Sequence, residues 1–166
     1  MTAKKKPKPG SISARMAARV AAVQALYQMD LAGTDLTDVI AEFLKVRFSG
    51  KNRDETIAGA DQIFFADILR SVVRRQREID PMIDEQLATG WRLVRVDSIL
   101  RAILRGGVAE ILDRDDVPAR VAINEYVNVA HLFFDEDEPR VVNGVLDKIA
   151  RKLRTSEFDG KRVTPP

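Results

Sequence analysis

The sequence predicts an all-α protein. Apolar residues recur at intervals of three and four along nearly the whole chain, which is the spacing of one face of an α-helix. No segment shows the convincing alternation of apolar and polar residues that is typical of a half-buried β-strand. Three predicted helices also begin with an acidic residue followed closely by proline. This combination favours a helix start. The N–H groups of the first turn have no partner within the helix, so the acid can accept from them, and proline, which has no N–H, loses no hydrogen bond there.

The first two helices are predicted on either side of Gly33, which ends the first of them. The first helix carries apolar residues about one turn apart, namely Met16, Val20, Val23 and Tyr27. Thr34 or Asp35 then caps a shorter helix, because both side chains can accept a hydrogen bond from the first helical turn. The apolar residues of this second helix are Val39, Ile40, Phe43 and Leu44. Residues 49–52 are predicted to form a loop.

A long third helix is predicted to open at Asp54 and to end in basic turns, as the helix dipole favours. Its apolar residues include Ile57, Phe64, Ile68, Val72 and Val73, and its basic residues are Arg70, Arg74, Arg75 and Arg77. The acid–proline pairs then open helices over 81–89, 117–133 and 139–154. A further helix covers 96–113, where the pair Gly106-Gly107 indicates close approach to another helix. We expect about seven helices.

The length of 166 residues is that of one domain. Residues 1–10 are predicted to be a flexible basic tail, residues 11–154 a helical domain and residues 155–166 a polar, frayed C-terminal tail. The chain has neither the apolar core of a secretory signal nor a run of 18 apolar residues. We therefore expect a cytoplasmic protein.

The composition leaves few residues for catalysis. The chain contains no cysteine, which excludes disulfides, thiolate nucleophiles and cysteine-ligated metals. Its single histidine, His131, lies near a predicted helix end and is expected to be structural. Neither a Walker A motif nor a GxGxxG motif occurs, and the acidic pairs are typical of solvated helix caps. We expect no enzyme activity, no metal and no cofactor.

The charge is concentrated at the N-terminus. Residues 1–20 carry six basic residues and no acid, whereas the remainder has a net charge of −4. Such a distribution indicates a polyanionic partner that approaches from the N-terminal end, because lysine and arginine neutralise phosphates. The alternative is a solubilising tail or a cloning remnant.

The first predicted helix extends this basic region. Arg15 and Arg19 lie on one flank of its apolar face, at i,i+4 spacing. Further along, Gln24 can read a base edge and Tyr27 can stack on an unpaired base. In the alternative interpretation Tyr27 belongs to the core and the arginines are merely solvated.

Three motifs carry a resemblance to a known family. They are AVQALY at 22–27, DVPARVAINE at 116–125 and VNGVLD at 142–147. In this order and spacing the chain resembles the NusB transcription antitermination family over roughly residues 12–154, and the middle motif is the most diagnostic. Much of the signature is architectural, since Asp116 is expected to cap a helix and Gly144 to permit close helix approach. Asn143 either caps a neighbour or faces a ligand.

The resemblance implies two packed helical bundles and a non-catalytic function. NusB-like proteins pair with the ribosomal protein that doubles as NusE, bind the single-stranded boxA element of ribosomal RNA leaders and act on RNA polymerase. Carried onto this chain, the implied RNA-binding residues are Arg15, Arg19, Gln24, Tyr27, Asp137, Arg140 and Asn143. The implied NusE-facing residues are Trp91, Arg95, Arg101 and Arg105. Whether the free protein forms a homodimer stays open.

The chain departs from the family in its N-terminal helix and before VNG. Many members concentrate arginines in the first helix, whereas here lysines of the preceding tail supply most of the charge. Val141 occupies a position that is often aromatic, which removes a possible stacking surface. Two alternatives remain: an adaptor for an RNA-modifying enzyme such as a cytosine methyltransferase, and a helical scaffold that binds only proteins.

Overall fold

The computed structural model describes residues 12–88, 92–135 and 137–159. Within these ranges the chain forms seven α-helices and no strand, so the predicted all-α class is confirmed. The helices are α1 (Ala14–Ala32), α2 (Leu36–Glu42), α3 (Gln62–Gln86), α4 (Ser98–Asp113), α5 (Ala119–Phe133), α6 (Asp137–Leu153) and α7 (Thr155–Phe158). No described helix is long and apolar enough to cross a membrane. The predicted tail at 1–10 lies outside the described residues.

The boundary between α1 and α2 follows the prediction. Gly33 has a φ of 66°, the left-handed conformation that glycine adopts without strain, and its N–H donates to the Met29 carbonyl at 3.0 Å. The Asp35 carboxylate accepts a hydrogen bond from the Thr37 N–H at 3.1 Å. Asp35, rather than Thr34, is therefore the N-cap of α2. A π-helical turn, Phe43–Arg47, extends that helix.

The start of α3 differs from the prediction. Asp54 does not open the helix, because its carboxylate accepts the Thr56 N–H and closes a turn. Asp61 is the N-cap instead and accepts from the Phe64 N–H at 2.9 Å. The buried Ile57 belongs to the preceding turns, where its apolar side chain mimicked a helical pattern.

A separate helix over 81–89 was also a wrong prediction, since α3 continues through Pro81 to Gln86. Proline removes one backbone hydrogen bond, yet the apolar face continues across it because Ile79 and Ile83 are both fully buried. Asp80 does not cap a helix there. Its carboxylate accepts two hydrogen bonds from Arg105, each 2.9 Å long.

The first turn of α5 is capped by a side chain from α7. Asp116 was expected to cap α5, but it forms ion pairs with Arg15 and Arg114, and Pro118 occupies the N-cap position. The free Ala119 N–H donates to the Glu157 carboxylate at 2.8 Å. Glu157 belongs to α7, so the segment after residue 154 is folded against the domain as far as Phe158, and the expectation of a frayed tail is wrong there.

The core is organised around α4, which packs against α1, α3, α5 and α6. Its two central glycines provide the close approach that the sequence predicts. A Cβ on Gly106 would lie 3.1 Å from the Tyr126 ring, and one on Gly107 would lie 2.7 Å from Leu146. The same expectation is wrong for Gly144, because no atom lies within 4 Å of the corresponding Cβ position.

Candidate nucleic-acid interface

The first helix carries one buried arginine. Arg19 is only 3% exposed, and its Nε and Nη2 donate to the Glu110 carboxylate at 2.9 Å and 2.6 Å. Glu125 supplies a second carboxylate 3.4 Å from Nη1. The prediction that Arg19 lies on an exposed basic flank is therefore wrong. The physical reason is that an arginine can be buried on an otherwise apolar face when a carboxylate from a neighbouring helix neutralises it.

This ion pair belongs to a cluster around the Phe64 ring. The guanidinium carbons of Arg15, Arg19 and Arg114 lie 4.6 Å, 5.0 Å and 4.8 Å from the ring centroid. Such distances are those of cation–π contacts. Next to Arg19, the fully buried Tyr126 has a pKa raised well above its usual value, because burial and the negative charge of Glu110 both disfavour the phenolate. The cluster stabilises the packing of α1 against α3, α4 and α5.

Arg15 remains at the surface, as the sequence predicts. Its side chain is 43% exposed and lies 3.3 Å from the Asp116 carboxylate. Desolvation acts to raise the pKa of Asp116, but the Arg114 charge and the hydrogen bonds from Arg15 and Arg114 hold it below its ordinary value. An exposed pair of this kind is weak, so the Arg15 guanidinium can exchange Asp116 for a phosphate at small cost.

The second half of α1 borders an open groove of about 510 Å³. The α1 helix contributes one wall, the segment after α2 contributes Arg47 and Asp54, and the ends of α4 and α5 contribute Ile99 and Phe133. The α1 residues on the wall are Val23, Gln24, Tyr27, Gln28, Leu31 and Ala32. The groove therefore combines apolar and aromatic surface with one arginine and one aspartate.

The structure brings Gln24 and Tyr27 together on this wall. Tyr27 is 36% exposed, so it does not belong to the core, and that alternative interpretation is wrong. Gln24 is partly buried, and its side-chain Oε1 is enclosed without a hydrogen-bond partner. The exposed Tyr27 ring is therefore the side chain on this wall that can stack on a planar ligand.

The predicted residues of α6 lie in its first two turns. Asp137, Arg140 and Asn143 are all exposed, and Arg140 forms no ion pair with another described residue. Val141 is partly buried against the core. Phe133, which lines the groove, ends the helix that precedes α6, so the chain runs from the groove wall to these residues within a few positions.

The predicted partner-facing arginines are in different environments. Arg101 lies 2.6 Å from Asp30, and Arg105 makes its two hydrogen bonds to Asp80, each arginine side chain being only 14% exposed. These cations are engaged within the chain, where they connect α4 to the ends of α1 and α3. Arg95 is exposed. Trp91 lies outside the described residues.

The sequence did not assign the groove residues Arg47 and Phe133 to a functional site. Arg47 is the last residue of the π-helical turn, and its guanidinium carbon lies 4.9 Å from the centroid of the Phe43 ring. The helical spacing of apolar residues ends near this position in the sequence. Phe133 is the last residue of α5 and lines the groove from there. Each reaches the groove because of tertiary packing, and no local motif indicates that position.

Comparison with known proteins identifies the relatives of this chain. Residues 16–151 match the NusB family. The transcription antitermination protein NusB of Rhodopseudomonas palustris strain TIE-1 is 51% identical over 87% of this chain and 83% of its own length. The protein of the same name from Allorhizobium ampelinum is 50% identical over 92% of this chain and 96% of its own.

Solved structures share the fold. A crystal form of T. maritima NusB superposes with a TM-score of 0.72 at 26% identity, covering 89% of this chain and 98% of its own. A chain from the crystal structure of the antitermination factors NusB and NusE in complex with dsRNA superposes with a TM-score of 0.60 at 27% identity. That match covers 82% of this chain and 96% of the other.

Proposed function

This chain belongs to the NusB family, and from that membership we propose that it is a non-catalytic transcription antitermination factor that binds boxA-like single-stranded RNA together with NusE. Its RNA is that of ribosomal RNA leaders, and the complex acts on RNA polymerase to support continued transcription. The names of its relatives and the NusB–NusE–dsRNA structure support this function.

The observation that carries the proposal is the groove beside α1. Tyr27 and Phe133 offer aromatic surface there, and Arg47 offers a positive charge at the edge. Single-stranded RNA is held by this combination, because unpaired bases stack on aromatic rings while arginine contacts the phosphates. Gln24 lines the same groove, and we assign its amide to a base edge.

We assign two further regions to the proposed RNA surface. Arg15 contributes an exposed guanidinium near the start of α1, and the basic residues of segment 1–10 precede it in sequence. At the start of α6, Arg140 and Asn143 are exposed and follow closely after Phe133. Residues 11–154 then form the RNA- and NusE-binding domain, with 1–10 as a basic arm. Arg19 is left out of this surface because its charge is buried and neutralised.

Fluorescence anisotropy of a labelled boxA-like RNA tests the proposal. The chain is titrated alone and with purified NusE over a series of salt concentrations. We expect tighter binding with NusE and a steep loss of affinity as salt rises, since phosphate contacts release counterions. A scrambled RNA of the same length is the control. Equal binding of both RNAs, or binding that does not change with salt, would contradict the proposed function.

A further inference from the structure

The solvent-exposed face of α3 carries a concentration of positive charge that the proposed groove does not use. Residues 68–77 contain four arginines and no acidic residue. Arg75 lies 2.7 Å from Glu78 of the same helix and 2.5 Å from Asp113 at the end of α4. The other three arginines differ from Arg75 in their exposure and in their position on the helix.

Arg70, Arg74 and Arg77 follow one another at i, i+4 and i+7, so they share one face of α3. The side chains of Arg70 and Arg74 are 58% and 64% exposed. Arg77 is exposed as well and makes no ion pair within the part of the chain that the structure describes. Together these three residues form the α3 arginine strip.

The carboxylates near the strip are already engaged. Asp113 accepts hydrogen bonds from the Ser71 hydroxyl, from Arg74 at 2.7 Å and from Arg75 at 2.5 Å. Although desolvation acts in the opposite direction, these partners lower the pKa of Asp113. Asp113 therefore stays ionised and already accepts from three donors. A guanidinium has five N–H groups, so Arg74 keeps donors for a further ligand.

A cleft of about 190 Å³ adjoins the strip between α3 and α4. Arg70 and Arg74 line one wall, and Arg114 lines it from the end of α4. The carboxylates of Asp67, Glu110 and Asp113 also line it, but Asp67 lies 3.4 Å from Arg114, and Glu110 is paired with the buried Arg19. Three arginines thus line one opening together with three carboxylates, each of which is already paired with an arginine of the chain.

We propose that the α3 arginine strip is a second RNA-binding surface, which contacts the phosphate backbone of the RNA that flanks the element held at the α1 groove. This inference rests on the proposed function. From Arg70 to Arg77 the helix rises about 10 Å, a length over which one strand of a duplex carries roughly three phosphates. A row of exposed cations at regular intervals matches the repeating charge of a phosphate backbone, and such contacts do not depend on sequence.

The test compares two RNAs and two triple variants. The short RNA contains only the boxA-like element, and the long RNA adds about 15 nucleotides on each side, enough to reach beyond one groove. Arg70→Gln, Arg74→Gln and Arg77→Gln together remove the strip. The matched control is Lys148→Gln, Arg151→Gln and Lys152→Gln, which removes three exposed positive charges from the end of α6. Circular dichroism and thermal unfolding establish that both variants are folded.

We expect the strip variant to bind the long RNA at least tenfold more weakly than the unmodified chain, with the magnitude of its salt slope smaller by about 2. Its affinity for the short RNA stays within twofold, as does that of the control variant for both RNAs. Unchanged binding of the long RNA by the strip variant overturns the inference. The strip would then be a candidate contact for an acidic protein surface instead. If the unmodified chain binds neither RNA, the proposed function itself fails.

Discussion

Arg19 of α1 and Glu110 of α4 form a two-point ion pair in the protein interior, with the Arg19 side chain 4% exposed and the Glu110 side chain fully buried. Desolvation disfavours the charged arginine, yet the hydrogen bonds and charge of Glu110 keep its pKa above the ordinary value. The pair therefore holds the helix that carries Tyr27 against the central helix. One of the two arginines that the sequence assigns to RNA thus has a structural role.

Breaking the pair from one side is expected to be costly. Glu110→Gln leaves the Arg19 charge buried with only the more distant Glu125, so we expect the free energy of unfolding to fall by about 3–5 kcal/mol. Replacing both partners, Arg19→Met with Glu110→Leu, removes the charge and is expected to cost less than the single change. Urea unfolding measures both. A double variant less stable than Glu110→Gln would contradict this interpretation.

The same double variant separates structure from RNA binding. Because Arg19 is covered by protein, we expect the RNA affinity of the folded double variant to stay within twofold of that of the unmodified chain. Anisotropy with the boxA-like RNA measures it. A tenfold loss of RNA affinity in the folded double variant would show that Arg19 contributes to RNA binding.

Alanine at two helical glycines is expected to change stability in opposite directions. At Gly107 the new methyl group would lie 2.7 Å from the fully buried Leu146, and overpacking outweighs the gain in helix propensity, giving a net loss of about 1 kcal/mol. At Gly144 the methyl group meets no atom within 4 Å, so Gly144→Ala is expected to stabilise by about 0.5–1 kcal/mol. Thermal unfolding distinguishes them. Equal stability of the two variants would mean that α4 and α6 are not in close contact.

Glu157 is expected to make stability depend on acid pH. Its hydrogen bonds with Arg154 and with the Ala119 N–H lower its pKa below the ordinary value. Because the pKa of Glu157 is lower in the folded state, its carboxylate contributes fully to the free energy of unfolding above the unfolded-state pKa. That contribution is lost as the pH falls through the folded-state pKa. Glu157→Gln should therefore lower stability at pH 7, by about 1 kcal/mol for a helix cap. The difference from the unmodified chain should shrink below about pH 4.

Glu55→Gln is the control for this pH series. Glu55 is 53% exposed in its pair with Arg53, and an exposed pair contributes at most about 1 kcal/mol and often much less. Its removal should leave the pH profile almost unchanged. A Glu157→Gln variant with the same profile as the unmodified chain would show that α7 does not cap α5 in solution.

The sequence predicted helix ends well where those ends are set by neighbouring residues. Gly33 and Asp35 fix the ends of α1 and α2 because left-handed backbone and side-chain capping are local properties. The α3 boundaries were wrong at both ends, because Asp54 closes a turn and because buried Ile79 and Ile83 carry the helix through Pro81. Tertiary packing outweighed the local signal there.

The candidate site was predicted in part for the same reason. Helical spacing places Gln24 and Tyr27 on one side of α1, and in the structure both line one groove. The burial of Arg19 depends on Glu110, 91 positions away, so no pattern within the first helix indicates it. Arg47 reaches the groove from another element. Their roles in RNA binding stay predictions.

The RNA affinity of Tyr27→Ala tests the proposed RNA site most directly, because Tyr27 lines the α1 groove. Tyr27→Phe keeps the ring, and Leu153→Ala removes a similarly exposed apolar side chain from the far end of α6. Anisotropy with the boxA-like RNA and NusE should show a loss of at least tenfold for Tyr27→Ala, as expected for one stacked base. Both other variants should stay within about threefold. Full affinity in a folded Tyr27→Ala variant would contradict the assignment of the RNA to this groove.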